Sequence, residues 1–395
     1  MTTPDQTTDF SFVKGGPFYR LLGKCHLTDA DLERRRRRMI VLALLAWLPL
    51  LVLSALGGRA WSGGVTVPFL LDVEAHVRFL IVVPLLLAAE LDVHRRLAVA
   101  VRQFVERDLI PESERERFHA AIASAGRWSR STVAEVLLLV FTYVVGVGVI
   151  WLGHTALPTA TWYADPDAGK HLKLTTAGLW FAFVSLPAFH FLVWRWYYRL
   201  GLWVRFLWQV SRIRLGLIPT HPDRAAGLGF LSGSTSAFTL LVIAHGALLA
   251  GLIANRILHT GASLLDFKFE IAGLTVFVLC AVLAPLFLFT PQLVRARRTG
   301  NREYGILAQR YVREFDAKWL RGGAAADEPL VGSADVQSLA DMGNSFEVLK
   351  TMSIVPVRKS AVLHLAFAAL FPIAPLALTM MSLEELLRRL SGIFF

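Results

Sequence analysis

The sequence predicts an all-α polytopic membrane protein with about seven transmembrane helices, a helical cytoplasmic region and its N-terminus inside the cell. Of the 395 residues, 55% are hydrophobic and 18% are charged, whereas soluble domains average about 45–50% apolar and about 25% charged residues. Long apolar runs are the second observation, and an uneven distribution of Lys and Arg is the third. Together they exclude an ordinary soluble enzyme and a disordered chain.

Apolar runs long enough to cross a bilayer recur along the chain. A spanning helix needs about 20 predominantly apolar residues. Each run that approaches or exceeds this length predicts one transmembrane helix. The seven runs lie at 39–57, 68–91, 134–157, 177–196, 238–257, 270–290 and 361–381.

Lys and Arg are concentrated in alternate connections between these runs. The segments 1–38, 92–133, 197–237 and 291–360, together with Arg195, hold 33 of the 41 basic residues. Because positive residues are retained in the cytoplasm, these segments and the N-terminus are predicted to lie inside. The net charge of +11 is then explained by topology, and no nucleic-acid partner is predicted.

The chain therefore divides into alternating membrane and cytoplasmic parts. Apolar positions recur at helical spacing in the cytoplasmic parts, which predicts helices there as well. The tail resembles an amphipathic helix on a surface, and the side of the membrane on which it lies stays open. The predicted order is a cytoplasmic segment 1–38, helices one and two 39–91, a cytoplasmic hairpin 92–133, helices three and four 134–196, an interfacial segment 197–237, helices five and six 238–290, a cytoplasmic segment 291–360, helix seven 361–381 and the tail 382–395.

Two partners follow from this organisation. The first is the lipid bilayer itself, with anionic head groups expected at the five arginines from Arg34 to Arg38, since clustered arginines beside a transmembrane helix attract anionic lipids. The second is another copy of the chain, because a channel built from helices of this kind is expected to be a homo-oligomer.

Four ionisable residues lie within two helical turns at the outer end of the second span: Asp72, Glu74, His76 and Arg78. Charges are expensive in lipid, so these side chains should face protein or water. One interpretation is a gate, an ion site or a proton relay. The other is a structural ion pair, because Glu74 and Arg78 are four residues apart on a helix.

Two histidines, His190 and His245, lie inside the fourth and fifth predicted spans. A histidine within a span can relay protons. A buried imidazole whose nitrogens are satisfied by hydrogen bonds is the alternative interpretation. Both histidines are therefore candidate members of a pore or proton site.

A third group lies in the predicted cytoplasmic loop before the fifth span. His221, Asp223 and Arg224, followed by two glycines, could bind an anion or take part in acid–base chemistry. Pro, Asp and Gly also form turns, so a purely structural turn is the alternative. The sequence does not separate these two interpretations.

Motifs for common enzyme chemistry are absent from the sequence. It has no Walker A segment, no Gly-x-Ser-x-Gly, no His-Glu-x-x-His and no EF-hand loop. Its two cysteines are far apart and form neither a disulfide framework nor a Cys-based metal motif. The sequence thus predicts no catalytic residue, no cofactor and no metal.

Four segments resemble an uncharacterised family of bacterial multi-spanning inner-membrane proteins. The resemblance implies a place in the bacterial inner membrane. Since the family has no assigned activity, it implies no catalytic residue. The segments are PTHPDR at 219–224, GLGFL at 227–231, LAQRYVREF at 307–315 and SADVQSLAD at 333–341.

Three functions are compatible with these observations. Ionisable groups within spans favour an oligomeric channel or transporter for an ion or small solute. The long helical cytoplasmic segments favour a receptor, a sensor or an assembly scaffold. The His221 loop near the membrane surface favours an enzyme that acts on a lipid-linked substrate.

Overall fold

The computed structural model describes residues 32–62, 64–145, 160–166 and 172–380, together with Pro17, Arg20 and Gly23. The structure is 77% helical, which confirms the predicted helical architecture. Its strands β1 (Ala164–Pro166) and β2 (Leu172–Leu174) pair antiparallel in one short hairpin. The predicted tail 382–395 and the second half of the predicted third span lie outside the described residues.

Helices of very different length make up the described part of the chain. Several follow one another with no loop between them, so that short helices extend long ones. Their bounds are α1 (Leu32–Leu56), α2 (Val73–His76), α3 (Val83–Glu106), α4 (Arg115–Ser129), α5 (Thr132–Phe141), α6 (Thr176–Trp180), α7 (Leu186–Val210), α8 (Phe230–Ser234), α9 (Thr239–Thr260), α10 (Lys268–Leu283), α11 (Thr290–Phe315), α12 (Ala334–Lys350) and α13 (Lys359–Leu370).

Within the described ranges, four continuous helical stretches are long and apolar enough to cross a membrane. A fifth crossing is added if the bent pair formed by α4 and α5, with an angle of 49° between them, counts as one span. The described helices therefore account for four or five of the seven predicted crossings. The four stretches are Arg36–Leu56, Thr176–Val210, Phe230–Thr260 and Leu264–Leu320.

The second and seventh predicted spans are not among these four stretches. The second carries several charges, and the seventh is short. The second span is formed by α2, a π-helical segment (Val77–Val82) and α3, and it carries Glu74, Arg78 and Glu90. The seventh corresponds to α13, whose 12 residues are too few to cross a bilayer as one helix. Helix α5 continues to Val145, the last residue described before a gap.

Prolines coincide with departures from α-helical geometry. Pro84 and Pro187 stand at the first turns of α3 and α7, directly after π-helical segments. Pro285 and Pro375 stand at the starts of 3-10 segments. A proline has no N–H to donate, so the preceding turn rearranges its hydrogen bonds. Pro49, in contrast, lies inside the continuous helix α1.

Helix α3 lies at the centre of the bundle, against α1, α7 and α9. Its buried stripe repeats every three or four residues through Leu86, Glu90, Val93, Leu97 and Val101. That spacing matches the 3.6-residue period of a helix, so one face is enclosed along its length. Glu90 is the ionisable member of this otherwise apolar stripe.

Large apolar side chains face outward on the peripheral helices. Leu45 of α1, Leu137 of α5 and Phe269 of α10 are 60%, 62% and 77% exposed. Apolar surface of this extent is unfavourable in water but costs nothing in hydrocarbon. These faces are the surface that a bilayer would cover.

Helix α9 approaches α13 so closely that one position leaves no room for a side chain. A Cβ atom on Gly246 would lie 2.2 Å from the carbonyl oxygen of Ala369. Small residues allow helix backbones to approach closely inside membranes. Gly246 therefore sets the contact between α9 and α13.

We expect Gly246→Ala to lower the free energy of unfolding by roughly 1–3 kcal/mol, because overpacking shifts the backbone of a neighbouring helix. Thermal unfolding of the purified protein in detergent measures the change. The matched control is Gly273→Ala in α10, where a Cβ would meet nothing within 4 Å. That substitution should stabilise the helix by roughly 0.5–1 kcal/mol. An equal rise in unfolding temperature for both variants would contradict the close approach of α9 and α13 at Gly246.

Candidate functional site

Asp72 caps the short helix α2 and is 6% exposed. One carboxylate oxygen, Oδ1, accepts from the backbone N–H of Ala75 at 3.1 Å. The other, Oδ2, accepts from the indole Nε1 of Trp162 at 2.8 Å. Both oxygens are used by the protein, so Asp72 joins α2 to the segment before β1.

His76 and Glu74 also have protein partners. The Nδ1 atom of His76 accepts from the indole Nε1 of Trp47 at 2.9 Å, and its Nε2 donates to the carbonyl oxygen of Leu70 at 3.2 Å. Glu74 forms an ion pair with Arg78, four residues later on the same helical stretch. Glu74 and Arg78 therefore form an ion pair, and both ring nitrogens of His76 form structural hydrogen bonds.

Arg78 retains one unsatisfied donor. Its guanidinium lies 5.9 Å from the ring centre of Phe181 and 5.6 Å from that of Phe189. Its Nε is buried and has no hydrogen-bond partner among the described residues. The Nδ1 atom of His190 is in the same condition. A buried polar atom of this kind usually contacts ordered water or a ligand.

His245 belongs to a separate contact between α7 and α9. Its Nδ1 donates to the carbonyl oxygen of Leu241 at 2.8 Å, and its Nε2 accepts from the hydroxyl of Tyr197 at 2.6 Å. Both ring nitrogens are satisfied. The described hydrogen bonds and ion pairs do not connect His245 with Asp72 or with Glu74.

A group of five ionisable side chains lies at the other end of the bundle. We call Arg38, Glu90, Glu135, Arg195 and Arg199 the Glu90 cluster. They come from four helices, namely α1, α3, α5 and, for the last two, α7. Glu90, Arg195 and Arg199 are each at most 5% exposed. The cluster therefore joins four helices in a buried site.

Glu90 is the centre of this cluster. Its Oε1 accepts from Arg199 Nη1 at 2.8 Å and from Arg195 Nη1 at 3.2 Å. Its Oε2 accepts from Arg38 Nη2. Arg195 also pairs with Glu135, with 3.5 Å between Nε and Oε1. One carboxylate thus receives charged hydrogen bonds from three arginines.

The spacing along α7 explains why two of these arginines converge. Arg195 and Arg199 are four residues apart and share one face of the helix. Trp196 packs beside them, with its ring centre 5.2 Å from the Arg199 guanidinium. The indole Nε1 of Trp196 donates to the carbonyl oxygen of Leu86 at 3.0 Å. This contact holds α7 against α3 one turn before Glu90.

The Glu90 cluster has an excess of one positive charge when all five groups are ionised. Two of its donors, Arg38 Nε and Arg199 Nη2, are buried without a hydrogen-bond partner among the described residues. An unsatisfied buried donor costs about 1–3 kcal/mol. An anion or water that accepted from these donors would therefore be stabilised.

Sequence analysis did not single out this cluster, although a signal was present. Arg38, Glu90, Glu135 and Arg195 each stand at an end of a predicted span, on the same predicted side. Opposite charges at the ends of neighbouring spans are the pattern from which the cluster could have been predicted. Arg38, one of the five arginines expected at anionic lipid, donates to Glu90. Arg36 and Arg37 are exposed, and the lipid contact of Arg34–Arg38 stays a prediction.

An apolar groove lies beside the Glu90 cluster. It has a volume of about 660 Å³ and runs between α1, α5 and α7. Its walls include Leu42, Leu139 and Pro187, and Glu135 stands on its surface. The groove therefore leads along apolar walls to a charged member of the cluster.

The His221 loop is organised around the side chain of Asp223. Its carboxylate accepts from the backbone N–H groups of Ala225 at 2.8 Å, Gly227 at 3.1 Å and Gly229 at 2.8 Å. His221 Nδ1 lies 2.9 Å from Asp223 Oδ1. The same Nδ1 accepts from the backbone N–H of Asp223 at 3.2 Å. The two side chains are therefore adjacent, but the carboxylate is occupied by the backbone of its own turn.

The backbone of this turn requires such support. Arg224 and Ala226 have φ angles of 56° and 53°, in the left-handed region that non-glycine residues rarely adopt. The carbonyl oxygen of Arg224 accepts from the backbone N–H of Ser353 at 2.7 Å. The loop thus connects the segment before α8 with the segment before α13. The contacts favour the structural interpretation of His221, Asp223 and Arg224.

The searched residues contain no group of three or more His, Cys, Asp or Glu side chains placed to hold a metal ion; the search covers only the described part of the chain. The unpaired donors of the Glu90 cluster, Arg38 Nε and Arg199 Nη2, are on arginines, which repel cations. The chemistry open to the Glu90 cluster is therefore electrostatic: it can hold helices together or bind an anion.

We expect Glu90→Gln to lower the free energy of unfolding by about 3–5 kcal/mol, because it leaves three buried guanidinium groups without a central anion. Chemical or thermal unfolding in detergent measures the loss. Glu314→Gln, which removes an exposed carboxylate paired with Arg310, is the control and should leave stability nearly unchanged. If both variants unfold alike, the cluster does not hold the bundle together.

The Asp223 turn should respond to acid. Burial raises the pKa of the Asp223 carboxyl, but the N–H groups of Ala225, Gly229 and Gly227 outweigh it and hold the pKa below its usual 3.8. A lowered folded-state pKa adds stability above pH 3.8, and this stability is lost as the pH falls through the folded-state pKa.

Asp223→Asn should therefore reduce stability by about 1–3 kcal/mol at neutral pH, and the difference from the unaltered protein should shrink below pH 3.8. Unfolding curves recorded between neutral and acidic pH measure it. Asp327→Asn, at an exposed position, is the control. A difference that is constant with pH would show that the carboxylate charge does not hold the turn.

No protein-family model matches this chain, and no curated protein or solved structure matches it either. The residues that bear on its function are therefore its own, above all the Glu90 cluster and the ionisable groups at the opposite end of the bundle.

Proposed function

We propose that this protein is a membrane transporter for a small anionic solute, in which the Glu90 cluster is the gate at the cytoplasmic end. The proposal includes the seven-span topology with the N-terminus inside and a location in the bacterial inner membrane, as the resemblance of its cytoplasmic segments implies. The observation that carries it is the convergence of three arginines on Glu90 from separate helices.

A second set of polar contacts supports a gate at the opposite end. Arg59, directly after α1, makes a two-fold hydrogen bond to Asp165 of β1, with both N–O distances at 2.8 Å. Helix α1 runs for 18 residues from Arg38 to its end at Leu56, and Arg59 follows a short turn at Gly57 and Gly58. A helix rises 1.5 Å per residue, so this part of α1 is roughly 27 Å long, close to the thickness of a hydrocarbon core.

The bundle between these ends contains polar atoms that lack protein partners. Ser54 Oγ and Asn255 Oδ1 are buried without hydrogen bonds among the described residues, as are Arg78 Nε and His190 Nδ1. Such atoms are costly unless water or a solute reaches them. Their presence supports a hydrated interior closed at both ends by ion pairs.

The charge of the Glu90 cluster indicates whether the proposed solute is an anion or a cation. The excess positive charge of the Glu90 cluster, together with its two unsatisfied donors, favours an anion over a cation. Motion of α7 relative to α3 would separate Arg199 from Glu90 and open the cluster. The loss of one charged hydrogen bond is worth about 1.5–3 kcal/mol, which is enough to shift a two-state equilibrium.

A receptor or scaffold function is the second candidate, and one observation favours it. Helix α11 extends beyond the predicted membrane boundary and packs against α12 as a long hairpin. Ile306, Leu320 and Val331 on this hairpin are 67%, 69% and 89% exposed. Exposed apolar side chains outside a bilayer are typical of partner-binding surfaces.

Anion flux into proteoliposomes tests the transport proposal. The double variant Glu90→Gln with Arg199→Gln removes one charge of each sign, so the net charge of the cluster is kept while its contacts are lost. We expect flux of nitrate or phosphate to rise by at least about 10-fold, because the closed state loses the charged hydrogen bonds of Glu90 and each of them is worth about 1.5–3 kcal/mol.

The control is the double variant Glu314→Gln with Arg310→Gln, which removes an exposed ion pair on α11 and should leave flux unchanged. Cation flux, measured in parallel, should stay at the level of empty liposomes. Absence of anion flux in both the unaltered protein and the Glu90 double variant would refute transport. A partner retained by the hairpin would then favour the scaffold.

A further inference from the structure

A pocket of about 780 Å³ lies where α7 ends and α11 begins. Three arginines line it: Arg212 and Arg214 from the segment after α7, and Arg295 from the first turns of α11. None of them forms an ion pair with a carboxylate among the residues that the structure describes. Three guanidinium groups therefore share one concave surface without a counter-charge.

The pocket also has apolar and aromatic walls at the predicted membrane boundary. Phe287 and Leu288 line it just before residue 290, where the sixth span is predicted to end. Trp208 lines it from α7, and the Arg212 guanidinium lies 5.5 Å from its ring centre. Phe287 and Trp208 are 55% and 45% exposed. Exposed aromatic residues beside arginines are typical of the head-group layer.

The arginines are held in place by contacts of their backbone. Ile213, between Arg212 and Arg214, is 3% exposed and anchors the segment in the core. The side-chain amide of Gln292 donates to the carbonyl oxygens of Ser211 at 2.6 Å and of Ile213 at 2.8 Å. The segment after α7 is thus fixed to α11.

We propose that this pocket binds the phosphate of an anionic phospholipid from the cytoplasmic leaflet, with the acyl chains lying along the walls formed by Phe287 and Leu288. Guanidinium groups bind phosphate oxygens through charged, often paired hydrogen bonds. The apolar walls favour a lipid over a soluble phosphate, because only a lipid uses both surfaces. The proposal rests on the topology proposed above and not on transport, and its arginines are different from Arg34–Arg38, where the sequence predicts lipid contacts.

The chain offers a matched surface for comparison. Arg302, Arg310 and Arg313 line another concave surface on α11, but Glu314 lies among them and pairs with Arg310. The number of arginines is the same, whereas the counter-charge and the neighbouring membrane boundary differ. This surface should bind anionic lipid only weakly.

Native mass spectrometry of the full-length protein, with phosphatidylglycerol and phosphatidylcholine added separately, tests the proposal. The unaltered protein should retain phosphatidylglycerol preferentially. The triple variant Arg212→Gln, Arg214→Gln and Arg295→Gln should lose about 100-fold in affinity, since each arginine near a membrane surface contributes about fivefold. The control triple variant Arg302→Gln, Arg310→Gln and Arg313→Gln should lose less than about threefold.

Single variants keep the test informative if the triple variant does not fold. Arg212→Gln and Arg214→Gln should each lose about fivefold in affinity, and the triple Arg-to-Lys variant should keep most of it. Equal binding of phosphatidylglycerol and phosphatidylcholine would overturn the proposal, and so would equal losses in the two triple variants. Glycerol phosphate that bound as tightly as the intact lipid would identify a soluble ligand and overturn the lipid assignment.

Discussion

The architecture depends on one electrostatic constraint, which is that a carboxylate buried between apolar helices needs counter-charges. Glu90 lies on the buried stripe of α3 and is 5% exposed. Its two oxygens receive three arginines, two from α7 and one from α1. Removal of Glu90 would leave these buried guanidinium groups without their shared anion, so this carboxylate holds α1, α3 and α7 together.

Most polar groups at the opposite end of the bundle, around Asp72 and His76, also have protein partners. Asp72 is satisfied by a backbone N–H and by Trp162, and His76 by Trp47 and a carbonyl oxygen. Most ionisable groups there are used to hold helices in place. Among the described residues, the charged groups that keep an unsatisfied buried donor are Arg78, Arg199 and Arg38, and their positive charge favours an anionic solute.

Two π-helical segments change the direction in which the helices that follow them present their side chains. π-Helical segments end just before Pro84 and Pro187, and each inserts an extra residue into its turn. The insertion rotates the following part of the helix by about 100° relative to the preceding part. In this way α3 can present Glu90, and α7 can present Arg195 and Arg199, to the same point between them.

The sequence alone determined that the chain is helical and that several of its helices are long and apolar enough to cross a membrane, because hydropathy and helical period are local properties that do not depend on how the helices pack. It also indicated that the Asp223 segment is a turn or a site, and the contacts of its carboxylate favour the turn. The sequence did not predict a role for Glu90. Only the tertiary structure decided its partners, since Arg38, Arg195 and Arg199 are 52, 105 and 109 residues away along the chain. Their meeting depends on how each helix is rotated in the bundle, and no local pattern specifies that rotation.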